Sequence, residues 1–150
     1  MLEDHAALAK KVDAGLAKPR ILVVEDDDVQ QCVLRSILES GGIAVDTASD
    51  GHDAVAKILD GGYDLVLLDY MLPVMDGMEI ARQVRAVMGE AARPRLIALT
   101  ALPDMVIGRE LISGKAFDGI LGKAVDVPHL LAIVTRFLRG APARSVAAVA

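Results

Sequence analysis

The chain has 150 residues, 53% hydrophobic and 25% charged, with a formal net charge of -5 and one cysteine. That length suits a single domain burying about 70% of its unfolded surface; the acidic balance excludes a general nucleic-acid binder, which needs a basic footprint, and Cys32 alone excludes an internal disulfide. No apolar run approaches the ~20 residues of a membrane span, and the opening Met-Leu-Glu-Asp-His lacks the basic n-region of a secretory signal, so a cytoplasmic protein without membrane contact is expected.

Residues 2–18 place Leu8, Val12 and Leu16 at four-residue spacing, which predicts a short amphipathic helix in an N-terminal extension, residues 1–19. Whether it packs on the domain or on a second copy is open, so a homodimer is one expectation. From Arg20 the pattern alternates strictly. Residues 21–24 predict a buried strand that runs into Glu25, Asp26, Asp27 and Asp28. A helix follows with Asp28 as its cap, Val29, Val33, Leu34, Ile37 and Leu38 on one face, and Gly41-Gly42 as its stop. Residues 43–47 alternate from Ala44 onward and predict a strand nearer a sheet edge. Asp50 caps the next helix, which Gly61-Gly62 closes. The stretch LVLLDYMLPVMDGMEI, residues 65–80, is a fully apolar strand ending in Asp69, a turn, and the start of a third helix. Residues 96–99 predict a fourth strand ending at Thr100. Pro103 suits the first turn of a fourth helix and Gly114 its end. Residues 117–122 predict a fifth strand ending at Lys123, and Asp126 with Pro128 opens a last helix. The domain is thus expected over residues 20–139, with 140–150 as a flexible tail.

Strands alternating with helices predict an α/β three-layer sandwich around a five-stranded parallel sheet. Right-handed crossovers leave few topologies, of which the flavodoxin-like order 2-1-3-4-5 is the commonest for five strands. In such sheets ligands bind beyond the carboxyl ends of the strands. Strand one ends there in Glu25 and Asp26, strand three in Asp69, strand four in Thr100 and strand five in Lys123. Taken singly, each has an ordinary explanation: an acidic helix start, a loop cap, a local hydroxyl cap, a solvated lysine. Four together at four strand ends point to a shared site. Three carboxylates that close repel, and a hard dication such as Mg²⁺, which takes oxygen ligands and substrate phosphate, resolves the repulsion. Asp69 can then act as a nucleophile toward phosphorus, with Lys123 and Thr100 stabilising the transferred group.

ILVVEDDD, LVLLDYMLPVMDG, ALTA and FDGILGK together resemble the response-regulator receiver domain of two-component signalling, chemotaxis regulators included, over about residues 20–139. The resemblance implies Asp69 as phosphoacceptor and Glu25 with Asp26 as the acidic pair, Asp26 the more direct Mg²⁺ ligand and Glu25 acting through water. It further implies the Met71 backbone carbonyl as a metal ligand, Thr100 as the switch hydroxyl, Ala101 as the small residue that leaves access, and Lys123 as the matching lysine. Implied partners are a histidine kinase or histidine phosphotransfer protein and an output protein. The output protein would meet the face of the fourth helix, fifth strand and last helix, where Val106, Ile107, Leu111 and Ile112 are too many apolar residues for one sheet face to bury. No direct nucleic-acid contact is implied, nor any turnover beyond self-phosphorylation from small donors and slow autodephosphorylation.

Two departures bear on switching. Ala124 stands where the family has proline, and Ile120 stands at the aromatic switch position. They leave an alternative, a degenerate receiver that binds protein without phosphorylation. An aspartyl phosphatase would want a carboxylate at Met71, and a flavin carrier a glycine- and hydroxyl-rich first loop, so both fit poorly. Met71 and Leu102, two residues beyond Asp69 and Thr100, are apolar and are expected to shield an acyl phosphate from water. His5, His52 and His129 lie away from the strand ends, so none of them has the look of the donor histidine.

Overall fold

The computed structural model describes residues 18–89, 94–105, 116–123 and 125–139. The elements are β1 (Arg20–Val24), α1 (Asp28–Ser40), β2 (Ala44–Ala48), α2 (Gly51–Asp60), β3 (Leu65–Asp69), α3 (Gly77–Met88), β4 (Arg95–Thr100), β5 (Gly119–Gly122) and α4 (Val127–Leu138). Residues 103–105 begin a further helical turn. The strands form one parallel sheet in the order β2-β1-β3-β4-β5, with β2 at an edge. The expected three-layer architecture is therefore the observed one.

Side chains alternate across a strand, and the two sets feed two cores. Leu22, Val24, Val66, Leu68, Leu96 and Ala98 face α2 and α3, where Ala54, Ile58, Met78, Ile80, Ala81 and Val84 cover them. Ile21, Val23, Leu65, Leu67, Ile97 and Leu99 face α1 and α4, meeting Leu38, Leu130, Leu131, Val134 and Phe137. Burial on both sides explains why β3 reads as an unbroken apolar run. Each of these helices starts on an aspartate whose carboxylate accepts amide hydrogens of the first turn: Asp27, Asp50, Asp76 and Asp126.

Two expectations, the cap of α1 and the start of the fifth strand, are corrected. The cap of α1 is Asp27, not Asp28: its Oδ1 accepts from Val29 N and Gln30 N at 2.9 and 3.0 Å, and Asp28 is already helical. The apolar face of α1 is only partly covered, with Leu38 alone fully buried and Val29 and Val33 exposed at 73% and 51%. The fifth strand begins at Gly119, because the residues before it serve a different anchor. Asp118, buried, accepts from Arg85 Nη2 at 2.6 Å, Leu96 N at 2.8 Å and Arg95 Nη1 at 3.4 Å. Arg85 also donates to the carbonyls of Ala116 and Pro94, so the foot of β4 and β5 is bolted to α3 at the end opposite the acidic run. The predicted N-terminal helix, the apolar residues Val106, Ile107, Leu111 and Ile112, Ala124 and the C-terminal tail lie outside the described residues. Among the described residues no helix is long and apolar enough to cross a membrane.

Candidate functional site

Register brings the chemistry to one place. Val24 pairs with Leu68 and Asp69 with Leu99, so Glu25, following Val24, comes level with Asp69. Thr100 pairs with Gly122, and Lys123 is the next residue. One carboxylate oxygen from each of Glu25, Asp26 and Asp69 lies within 4.8 Å of the others. Glu25 and Asp69 are buried while Asp26 is exposed, so the cluster opens to solvent through Asp26. Lys123 Nζ stands 3.0 Å from Asp69 Oδ2 and 3.4 Å from Glu25 Oε2. The lysine therefore reaches the site with Ala124 after it.

The loops hold the acids in place. Met71 N–H donates to Asp69 Oδ1 at 3.1 Å, so Asp69 has one oxygen on a backbone amide and the other on an ammonium. Gly77 N–H closes the β3–α3 loop onto the Tyr70 carbonyl at 2.8 Å. A Cβ at Gly77 would come 2.9 Å from Tyr70 Cα and 3.2 Å from the Asp69 carbonyl, which leaves glycine as the residue that fits. Thr100, buried, accepts from Leu102 N–H through its hydroxyl at 3.0 Å. Ala101, Leu102 and Met71 are exposed, whereas Ile120 is 3% exposed and packs in the core that holds Tyr70 and Phe117.

Electrostatics follow from this crowding. Burial, then the charge of Asp69, pushes the Glu25 carboxyl up to about 7 from 4.5, against the opposing pull of the Asp27 amide and Lys123. For Lys123 burial works to lower the ammonium's pKa, but hydrogen bonding to Asp69 and the charges of Asp69 and Glu25 outweigh it and the net shift is upward. An all-oxygen donor set of three carboxylates, one pushed toward protonation by burial and by the charge of Asp69, fits a hard divalent cation. A cavity of about 300 Å³ adjoins the site, lined by Glu25 and Lys123 and by the apolar Val29, Val33, Leu34 and Val125.

Sequence reasoning placed Glu25, Asp26, Asp69, Thr100 and Lys123 at the strand ends, and the fold gathers the three carboxylates and the lysine. It missed Gln31, whose side-chain amide donates to the Glu25 carbonyl at 2.9 Å. It also missed the Met71 amide, having weighed only that residue's carbonyl and side chain. Neither carries a sequence signal, because a helical glutamine and a loop amide acquire partners only in the folded chain.

The family model for the response regulator receiver domain matches residues 21–135. The aerobic respiration control sensor protein ArcB of Escherichia coli (strain K12) is 36% identical over 125 residues, 83% of this chain and 16% of that protein. The transcriptional regulatory protein ResD of Bacillus subtilis (strain 168) is 44% identical over 82 residues, 55% of this chain and 32% of its own length. The chain thus spans a minor part of either relative. Among solved structures, the receiver domain of the sensor histidine kinase PA1611 from Pseudomonas aeruginosa PAO1, with magnesium ion coordinated in its active site cleft, superposes with a TM-score of 0.71 at 35% identity, covering 83% of this chain and 100% of that one. The Vibrio cholerae chemotaxis protein CheY4 does so with a TM-score of 0.70 at 28% identity, covering 81% and 99%. With the order 2-1-3-4-5 and an acidic cluster at the strand ends of a matching sequence, the chain belongs to the response regulator receiver domain family of two-component signalling.

Proposed function

We propose that this receiver accepts a phosphoryl group on Asp69 from a phosphohistidine of a histidine kinase or histidine phosphotransfer protein, in the cytoplasm, and signals through a changed protein-binding surface. The observation that carries the reading is the convergence of Glu25, Asp26 and Asp69 with Lys123 Nζ 3.0 Å from the Asp69 carboxylate. An Asp69 oxygen attacks phosphorus as the donor's P–N bond breaks, and the electron pair returns to the imidazole nitrogen, which takes up a proton. Lys123, kept charged by its carboxylate neighbours, balances charge on the moving group. Thr100 accepts from the Leu102 amide, so its own O–H hydrogen is the one to donate to the phosphoryl oxygens. Asp26 and Asp69 directly, Glu25 through water and the Met71 carbonyl would hold Mg²⁺. When bound, the ion supplies positive charge against the phosphoryl oxygens and the clustered acids. The chain itself turns over nothing beyond self-phosphorylation from small donors and slow autodephosphorylation.

Val29 and Val33 make an apolar edge on α1, beside the cavity that Glu25 and Lys123 share. That edge suits the apolar flank of a donor helix bringing its phosphohistidine to Asp69. Output is assigned to the other flank, around the segment between β4 and β5 together with β5 and α4. Lys123 N–H donates to the Thr100 carbonyl at 2.6 Å, which ties the two site loops that lead into that flank. Intact-protein mass after incubation with acetyl phosphate tests the reading. One added phosphoryl group that disappears in Asp69→Ala and without Mg²⁺ is expected. No gain by the folded protein would mean a phosphorylation-independent binding module, the reading that Ile120 in the core favours.

A further inference from the structure

We infer that Gln31, which touches none of the reacting atoms, is a positioning residue that sets the aim of the acidic pair. This rests on the reading of Glu25, Asp26 and Asp69 as a Mg²⁺ site. Long side chains on a helix lean toward its N-terminus, so Gln31, in the first turn of α1, reaches back over the β1–α1 loop. Its Nε2 donates to the Glu25 carbonyl at 2.9 Å, and the same nitrogen lies 3.3 Å from the Ala48 carbonyl and 3.3 Å from Ser49 Oγ. The Glu25 N–H in turn donates to Ala48 O at 3.0 Å. Both backbone polar groups of Glu25 are thereby fixed, one by the edge strand β2 and one by Gln31.

The consequence is geometric. The Glu25 carbonyl shares its peptide plane with the Asp26 nitrogen. Rotating that plane changes ψ of Glu25 and φ of Asp26 together, and re-aims both carboxylates. Glu25 is 1% exposed, so its carbonyl cannot swap Gln31 for bulk water without such a rotation. Asp27 adds a second tether, its N–H donating to Glu25 Oε1 at 3.3 Å. That tether holds the Glu25 carboxylate and leaves the peptide plane to Gln31. Partners that orient metal ligands from behind typically control affinity by about 10- to 100-fold when removed.

Calorimetric titration of MgCl₂ into the full chain, with and without substitution, tests this. Gln31→Met keeps the length and removes the donor; Mg²⁺ affinity is expected to fall about tenfold. The Mg²⁺ concentration for half-maximal phosphorylation by acetyl phosphate rises with it, while the rate at saturating Mg²⁺ stays near wild type. Gln31→Glu separates aim from charge. Added negative charge near the cluster would by itself tighten Mg²⁺, whereas a carboxylate that cannot donate to the Glu25 carbonyl weakens it, and weakening is expected. Cys32→Ser, at an exposed neighbouring position on α1, leaves affinity unchanged. Tighter binding by Gln31→Glu, or variants that lose only urea stability at wild-type Mg²⁺ affinity, overturn the inference while leaving the site reading intact. A wild-type chain that binds no Mg²⁺ overturns both.

Discussion

Met71 and Leu102 are large apolar side chains standing 61% and 56% exposed, each two residues beyond a site residue. The Met71 amide bonds to Asp69 Oδ1 and the Leu102 amide to Thr100 Oγ1, so each side chain is carried beside a site residue. The pair is expected to shield a phosphoryl group on Asp69 from attacking water. Once the protein is phosphorylated, Met71→Asn and Leu102→Asn are each expected to speed loss of the phosphoryl group several-fold, followed by intact mass against time. A decay no faster than wild type would count against shielding. Exposed side chains contribute little to folding, so stability should stay within about 0.5 kcal/mol. At this scale the sequence was most legible where a residue's position follows from the end of a strand: Glu25, Asp26, Asp69, Thr100 and Lys123. It was silent on Gln31 and on the Arg85–Asp118 anchor, whose partners lie 6 and 33 residues away in the chain and meet only through tertiary packing.

Helix α1 shows what periodicity can and cannot give. The spacing of Val29, Val33, Leu34, Ile37 and Leu38 located the helix correctly, yet period alone does not say how far a sheet extends beneath it. Leu38 is fully buried, Leu34 and Ile37 are partly covered against the core, and Val29 and Val33 border the open cavity beside Glu25 and Lys123. The N-terminal half of the helix therefore carries apolar residues that the core does not use. Leu38→Ala should cost about 2–5 kcal/mol in urea unfolding, whereas Val29→Ser with Val33→Ser should cost little. If this edge receives a donor helix, the double variant keeps its phosphorylation by acetyl phosphate and loses rate only with a phosphohistidine protein. Equal losses with both donors would instead place the defect in the site itself. Capping was legible to within one residue, since Asp27 and Asp28 are chemically equivalent candidates and only the backbone at Asp27, φ -84 and ψ 116, decides between them.

For the whole molecule, the strict strand–helix alternation made the sheet order accessible before any coordinates, because handedness and short connections leave few ways to wind five parallel strands. What alternation could not supply is the balance of forces between the two ends of that sheet. At the foot, Asp118 is matched by Arg85 and Arg95. At the carboxyl end, Glu25, Asp26 and Asp69 share Lys123 as the cation that pairs with Glu25 and Asp69. The acidic end is thus short of positive charge, and the stability of the fold should depend on pH and Mg²⁺ together. The Glu25 carboxyl titrates near 7 when folded against 4.5 as the reference. Between those values the native state binds the extra proton, so this group's contribution to stability falls as pH rises through the window and levels off above it. A cation bound among the carboxylates replaces that proton, and binding to the native state alone raises stability by mass action. The thermal midpoint of metal-free protein should therefore drop from pH 5 to pH 8 more in wild type than in Glu25→Gln. Adding Mg²⁺ should raise the wild-type midpoint clearly at pH 8 and little at pH 5. An equal rise at both values would mean that the ion binds elsewhere than the buried acid and its partners.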